Sequence, residues 1–455
     1  MSTPPVYVSM TTMFQRQRQC AQALLSLVNQ TVPPKQICLY VSEKPYLLDK
    51  GIRRYCLDPS LVEILGKHRQ VLVEWVENEG PYRKLLPFLK RFWERENAIV
   101  VTCDDDVVYK PNFLETAISL WKEKQCCIGF EGSRIHPSLH YNSFASGKGT
   151  QDLWNLATGV GGILYETKWF SNKAMFDWKE YPYTDDLWFT AWRIAANILC
   201  YIHSESSIER TIAIQTNQTL WTAYNSGKNS ETLESILHLF VYKGYIQGQD
   251  AFFSSELQTL FKWNQYIQSK LLPVLGNESL EGSLWNRHLW KEPSAMLFQK
   301  QKNMYRIARD LSGTLACEVG FNAGFSAALL LLANPNLRLL CLDLGQHSYI
   351  EPSFKVLQSD FGDRIQLLLG DSQVTMKTLS PGYDFVHVDG GHSEQIARSD
   401  CQQALRILKP QGLLLLDDTN IGEVKKGIEP FLNSFQLISL PSNSSYQHTL
   451  YRKVG

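Results

Sequence analysis

A chain of 455 residues and 52.1 kDa exceeds what one hydrophobic core usually supports, so about two to four domains are expected. Apolar residues at 44% and charged residues at 20% are globular proportions and exclude wholesale disorder. Lys plus Arg number 45 against 45 Asp plus Glu, which leaves no basic excess for a phosphate backbone and argues against a nucleic-acid partner. The strongest apolar run, Phe325–Ala333, is far shorter than the roughly 18–20 residues of a membrane span. The opening Met-Ser-Thr-Pro-Pro lacks the charged and apolar regions of a signal peptide. Ten scattered cysteines without a Cys-x-x-Cys pair read as reduced core thiols, and the chain is expected to be cytoplasmic.

In chain order, Val6–Thr11 reads as a strand, Gln15–Asn29 as a helix and Gln36–Ser42 as a strand. Val71–Val76, Ile99–Thr102 and Cys127–Phe130 read as further strands. Strands separated by helical stretches imply a mainly parallel α/β sheet over residues 1–215. Residues 216–290 turn polar and aromatic, with helix-length segments Glu231–Tyr245 and Ala251–Leu272 and a break near Pro273–Ser283. This stretch is expected to be a helical connector. A second alternation fills 291–455, with strands at Leu315–Val319, Leu337–Asp343, Ile365–Leu369, Phe385–Asp389 and Gly412–Asp417. Two later β-like runs are Phe435–Leu440 and Thr449–Lys453. The fold class is therefore α/β twice over.

The first chemical cluster is the strand Ile99-Val-Val-Thr-Cys running into Asp104-Asp105-Asp106. Three adjacent carboxylates are too costly to bury unpaired, so they face solvent as an acidic turn or hold a cation, for which oxygen ligands suit Mg²⁺ or Mn²⁺. Further pieces follow in order: Gly80-Pro-Tyr-Arg83-Lys84, then Thr158-Gly-Val-Gly-Gly, then Thr184-Asp185-Asp186-Leu. Acids at a helix start are also ordinary capping. Together with Val6-Tyr-Val-Ser and Ser26-Leu-Val-Asn-Gln-Thr-Val-Pro-Pro, these pieces resemble a GT-A-fold glycosyltransferase of the Asp-x-Asp type over about residues 5–205. The resemblance implies Mn²⁺ or Mg²⁺ at Asp104 and Asp106, with Asp105, Arg83 and Lys84 also on the nucleotide-sugar donor. It implies Asp186, or Asp185, as the base on the acceptor hydroxyl. His203 is a candidate further metal ligand, although a single His beside a strand is as well structural.

The second cluster begins at Glu318-Val-Gly320-Phe-Asn322-Ala-Gly324, a strand end entering a Gly-rich turn and a helix. Asn322 stands where a nicotinamide-dinucleotide fingerprint needs Gly. The Glu-x-Gly-x-x-x-Gly form resembles class I S-adenosylmethionine methyltransferases. Asp343 then falls at the ribose position, and Asp371 with Ser372 at the adenine side. Val388-Asp389-Gly-Gly-His392 and Leu416-Asp417-Asp418 resemble the fourth and fifth strand ends of cation-dependent O-methyltransferases. That resemblance, over about residues 295–455, implies Mg²⁺ on Asp389, Asp417 and Asp418, and His392 as base. His392 is equally a capping residue. Glu318, Gly320, Asn322, Gly324, Asp343, Asp371 and Ser372 form the expected cofactor set. The domain boundaries expected are 1–215, 216–290 and 291–455.

The combined expectation is a bifunctional enzyme that adds a sugar from a nucleotide donor and O-methylates a glycan or glycoside. In the alternative, the first domain only binds glycan and the second methylates a glycosylated small molecule.

Overall fold

Val6–Thr11 (β1) is buried at its four central residues, as a strand sandwiched in a parallel sheet must be. In the computed structural model of the chain, β1 pairs parallel with Gln36–Val41 (β2) on one side and Ile99–Cys103 (β4) on the other, and β2 pairs parallel with Val71–Trp75 (β3). The structure describes residues 3–95, 97–212, 223, 227–247, 251–441 and 447–454. It divides into two units, Met1–Phe240 and Val241–Gly455. The stretch 216–290 is shared between them. Its described part is helical at Asn229–Tyr242 and Ser255–Tyr266, and residues 213–222 lie outside the described set.

The remaining strands of the first sheet are Cys127–Gly129 (β5), Gln151–Asp152 (β6), Ile163–Glu166 (β7) and Cys200–Ile202 (β8). The order is β3-β2-β1-β4-β7-β5-β8-β6. The sheet is less uniformly parallel than the sequence suggests, because β7 runs antiparallel to both β4 and β5. The excursion through residues 130–162 brings the chain back in at the end of the sheet where β5 leaves it, with Ile163 beside Gly129. Chain order reverses between β1 and β4, and their register sets Met10 beside Cys103. Residues following both strands therefore emerge at one edge, the usual ligand crevice of such sheets. Helix α1 (Gln17–Val28) follows β1, and helix α2 (Asp185–Ala195) precedes β8.

The second unit has strands Leu315–Val319 (β9), Arg338–Asp343 (β10), Ile365–Leu369 (β11), Tyr383–Val388 (β12) and Leu408–Leu416 (β13), all parallel. Phe435–Ile438 (β14) and Thr449–Lys453 (β15) close it antiparallel, in the order β11-β10-β9-β12-β13-β15-β14. Its reversal lies between β9 and β12. Helix α3 (Phe298–Asp310) precedes β9 and α4 (Phe325–Ala333) follows it. Helix α5 (Glu394–Ile407) is capped by Ser393, whose hydroxyl accepts the Ile396 N–H. Its Ala397, Cys401, Ala404 and Ile407 recur at helical spacing and pack on Val386, Val388, Leu414 and Leu416.

All ten cysteines are free, and among the described residues nine are buried and Cys56 is exposed. Among the described residues no helix is long and apolar enough to cross a membrane.

Candidate functional sites

In the first unit the reversal between β1 and β4 delivers Thr12 and Asp104–Asp106 to the same edge. Lys84 reaches this edge from a short 3-10 turn, Gly80–Lys84, whose carbonyl at Lys84 accepts the Ser9 hydroxyl at 2.6 Å. Lys84 Nζ lies 2.6 Å from Asp104 Oδ1 and 3.7 Å from Asp185 Oδ2. The Gly159 N–H donates to Asp186 Oδ2 at 3.0 Å. Asp186 thus reaches across to another segment. A Cβ on Gly159 would lie 2.6 Å from Lys84 Nζ, 3.4 Å from Asp186 Oδ1 and 3.5 Å from Asp104 Oδ1. One point therefore collects an ammonium and two carboxylates, and only glycine leaves it open. Burial, then the neighbouring Asp185, pushes the Asp186 carboxyl up to about 7, against the opposing pull of Lys84. Burial likewise raises Asp185, with Lys84 opposing. These are conditions for a group that exchanges a proton near neutral pH.

Three expectations for this unit need correction. Arg83 does not face a donor phosphate. Its side chain is 2% exposed, with Nη2 on Asp49 at 2.9 Å and Nε donating to the Gly80 carbonyl. In a short 3-10 turn, adjacent side chains point apart, so Lys84 enters the site and Arg83 the core. Asp105 is buried too, accepting the Thr12 hydroxyl at 2.6 Å and pairing with Arg16 at 3.1 Å. His203 does not join the acids: its ring packs edge-on against Phe130. The expected metal pair is held by cations of the chain itself, Asp104 by Lys84 and Asp106 by Arg16 at 3.1 Å. The two groups of three potential metal ligands found among the described residues both lie in the other unit. The donor set here does not fit a resident metal.

In the second unit a cavity of about 840 Å³ opens at the carboxyl ends of β9, β10 and β12. It is lined at one end by Asn322, Asp343, Asp371 and Ser372 and at the other by Asp389, His392 and Asp418. A cavity of this size suits a drug-sized ligand or larger. Gly320 has φ +95°, and a Cβ there would sit 2.0 Å from the Asp389 carbonyl. The backbone of the β9 turn therefore packs directly on the turn after β12. Asp343 holds the loop by accepting the N–H groups of Asn322 at 2.8 Å and Gly345 at 2.9 Å. Asp371 caps the short helix after β11.

Glu318 is another correction. Strand alternation turns it away from the cavity, fully buried, where Oε1 meets His387 Nδ1 at 3.0 Å on the neighbouring strand. It supports the site from beneath.

At the far end of the cavity Asp418, at φ +52°, points Oδ2 to His392 Nε2 at 2.8 Å. That hydrogen bond is the main cause raising His392. Burial, then Asp417, pushes Asp389 up to about 7. Asp417 behaves oppositely. Burial would raise it, but the Lys300 ammonium beside it brings it below the usual carboxylate range. Lys300 Nζ lies 2.5 Å from Asp417 Oδ1 and 2.7 Å from Oδ2. Both oxygens of the central expected ligand are thus taken, and Asp417 does not fit as a ligand to a divalent ion as it stands. The groupings with ligand atoms close together are His387, Asp389 and Asp417, and Asp389, His392 and Asp418.

Lys300 and His387 are the residues that sequence reasoning missed. A signal for Lys300 exists: it shares a helical face with Met304 and Ile307, at positions where a lysine is unexpected. The segment Glu281–Trp290 also lines the cavity; Glu281 meets His347 Nε2 at 3.2 Å, and just before the segment Glu278 accepts the Ser348 N–H at 2.8 Å and meets His347 Nδ1 at 2.7 Å.

Residues 317–419 match the family model of a methyltransferase domain. No curated protein matches the chain. Among solved structures, the O-methyltransferase TomG from Streptomyces achromogenes, in complex with SAM, is 19% identical, with 48% of this chain and 96% of that one covered and a TM-score of 0.31. An O-methyltransferase from Bacillus cereus in complex with SAH is 14% identical, with 42% and 90% covered and a TM-score of 0.31. The SAH-bound methyltransferase PaMTH1 from Podospora anserina is 19% identical, with 34% and 78% covered and a TM-score of 0.29. The family match falls wholly within the second unit and spans the Gly320 turn, Asp343, Asp371, Asp389, His392 and Asp417–Asp418. By this family match, residues 317–419 carry a methyltransferase domain, which supports methyl transfer as the chemistry of the second unit.

Proposed function

We propose that the second unit transfers the methyl group of S-adenosylmethionine to a hydroxyl oxygen of a glycan or glycoside. The observation that supports this is the single cavity joining Asp343 and Asp371 to Asp389, His392 and Asp418. The first pair suits the hydroxyl-rich ribose and the adenine side of the cofactor, and the Gly320 turn leaves its backbone open to close approach. Asp418 fixes the His392 tautomer at Nε2, leaving Nδ1 to take the acceptor proton. The acceptor oxygen forms its bond to the methyl carbon as the carbon–sulfur bond breaks, and that electron pair returns to sulfur. The products are a methyl ether, S-adenosylhomocysteine and a proton on His392. No step is routed through a divalent ion.

The first unit is read as a nucleotide-sugar transferase, on the strength of the convergence of Lys84, Asp104 and Asp186 around Gly159. Asp186 takes the proton of the acceptor hydroxyl, whose oxygen bonds the anomeric carbon. The bond from that carbon to the diphosphate breaks, and its electron pair leaves with the nucleoside diphosphate, facing Lys84. The alternative is a glycan-binding module without turnover. Isothermal titration with S-adenosylhomocysteine tests the methyltransferase reading, and absence of binding overturns it. A screen of nucleotide sugars for donor hydrolysis tests the other. Release of nucleoside diphosphate that stops in D186N supports transfer, and no release from any donor favours the binding module.

A further inference from the structure

We propose that Lys300 is the resident cation of the methyl-transfer site, an internal ammonium standing where a divalent ion was expected. The inference rests on the methyltransferase reading of the cavity and concerns what supplies positive charge there.

Three carboxylates, Asp389, Asp417 and Asp418, meet at the ends of β12 and β13. Such a cluster needs countercharge, because burying like charges together is costly unless they are paired. The chain supplies it from α3, 117 residues earlier than Asp417. The ammonium chelates the carboxylate with both contacts at or below 2.7 Å, and the side chains are 8% and 6% exposed. Lys300 and Asp417 both line the cavity, so the pair faces the reacting end and is not sealed in the core.

The surroundings hold the pair in place. Asp417 Oδ1 also accepts the Asp418 N–H at 2.7 Å, which fixes the carboxylate plane. On the same helix, Asn303 meets His448 Nε2 at 2.9 Å and donates to the Pro441 carbonyl, which anchors α3 alongside the site. His387 lies beneath, held by Glu318. A divalent ion on Asp417 would have to share its carboxylate with an ammonium already bound to both oxygens, and like charges at that range repel strongly in a partly buried site. An ammonium has three hydrogens. Two serve Asp417, and the third is available to an acceptor oxygen as it loses its proton to His392 and forms the new bond to carbon. The charge that builds on that oxygen is then met by a group of the protein.

The test uses the full chain saturated with S-adenosylhomocysteine, with Mn²⁺ alone as probe and the free-ion paramagnetic resonance signal as readout. The wild type is expected to leave Mn²⁺ free at stoichiometric concentrations. K300M removes the ammonium and is expected to bind one Mn²⁺ at least about tenfold more tightly than the wild type, and K300M/D417N is expected to lose that gain. K300Q serves the same comparison should K300M fail to fold. One tightly bound Mn²⁺ on the wild type, with no gain in K300M or K300Q, overturns the proposal. Loss of S-adenosylhomocysteine binding by the wild type is a different failure, that of the methyltransferase reading itself.

Discussion

The two units solve one problem with different materials. Each places an acidic cluster at the carboxyl ends of parallel strands, where chain order reverses between β1 and β4 in one and between β9 and β12 in the other. Each then neutralises the cluster with cations of its own, Arg16 and Lys84 in the first and Lys300 in the second. The difference lies in what surrounds the critical glycine. Gly159 faces the tip of a flexible lysine, whereas Gly320 faces the backbone carbonyl of Asp389. The first site can rearrange around a ligand by moving side chains, while the second is set by two turns packed main chain to main chain.

That contrast can be broken most forcefully at Gly320. G320A puts a Cβ at 2.0 Å from a carbonyl, with φ at +95°, and neither can relax without moving a strand end. It is expected to cost on the order of 3 kcal/mol or more and to abolish S-adenosylhomocysteine binding, read by thermal melting and calorimetry. The Cβ of G159A clashes with the Lys84 ammonium at 2.6 Å and meets Asp186 and Asp104 only at ordinary contact distance, so its melting temperature should stay near wild type while donor hydrolysis falls. Equal destabilisation by the two would refute the distinction.

R83M comes next. It leaves Asp49 buried without its cationic partner, with only the neutral donors Phe14 N–H, Gly51 N–H and Asn78 remaining, and is expected to destabilise the first unit by about 3–5 kcal/mol. A purely functional loss, with unchanged melting, would return Arg83 to the donor site. D186N should then lower donor turnover by about 10²–10⁴-fold and leave S-adenosylhomocysteine binding intact, which sharpens the separation of the two chemistries.

A smaller effect comes from pH. Burial, then Asp185, pushes the Asp186 carboxyl up to about 7 in the folded chain, well above the usual carboxylate range. A group raised on folding contributes stability that is complete below the unfolded value and is lost as pH rises through the folded one. The first unit should therefore lose this contribution between about pH 4 and 7, while turnover, which needs the ionised base, should rise over the upper part of that range. D186N should flatten the melting profile. The smallest effect is expected of E278Q, which loosens the hold on His347 and Ser348 and should speed S-adenosylhomocysteine release a few-fold by stopped flow.

Much of this was legible in the chain itself. Each strand expected in the second unit is present, with ends displaced by a few residues at most. Gly320, Asn322, Asp343, Asp371, Ser372, Asp389, His392, Asp417 and Asp418 line its cavity and are legible from strand ends and turns, which are local signals, whereas Lys300 and the Glu281–Trp290 segment are not. Countercharges were not legible. Arg16 reaches Asp105 across 89 positions, Arg83 reaches Asp49 across 34, and Lys300 reaches Asp417 across 117. No period or spacing connects such residues, and a lysine or arginine in a helix or turn ordinarily belongs to the solvent face. The direction of Glu318 is hidden for a related reason: a strand-end acid in a Gly-rich turn suggests a ligand contact, but where it points depends on pleat and on the His387 opposite. The antiparallel β7 was hard to foresee because the segment that reverses the chain before it carries no strong pattern.

The burial of the thiols offers a way to watch each unit separately. Cys56 is the exposed cysteine among the ten, while burial keeps thiols such as Cys401 protonated, pushed up to about 12. A maleimide should therefore add one label to the native chain. Six further labels become accessible when the first unit opens and three when the second does, since Cys317, Cys341 and Cys401 are the cysteines beyond Val241. Intact-mass counting across a denaturant series would then read out which unit yields first, with no acceptor or donor in hand.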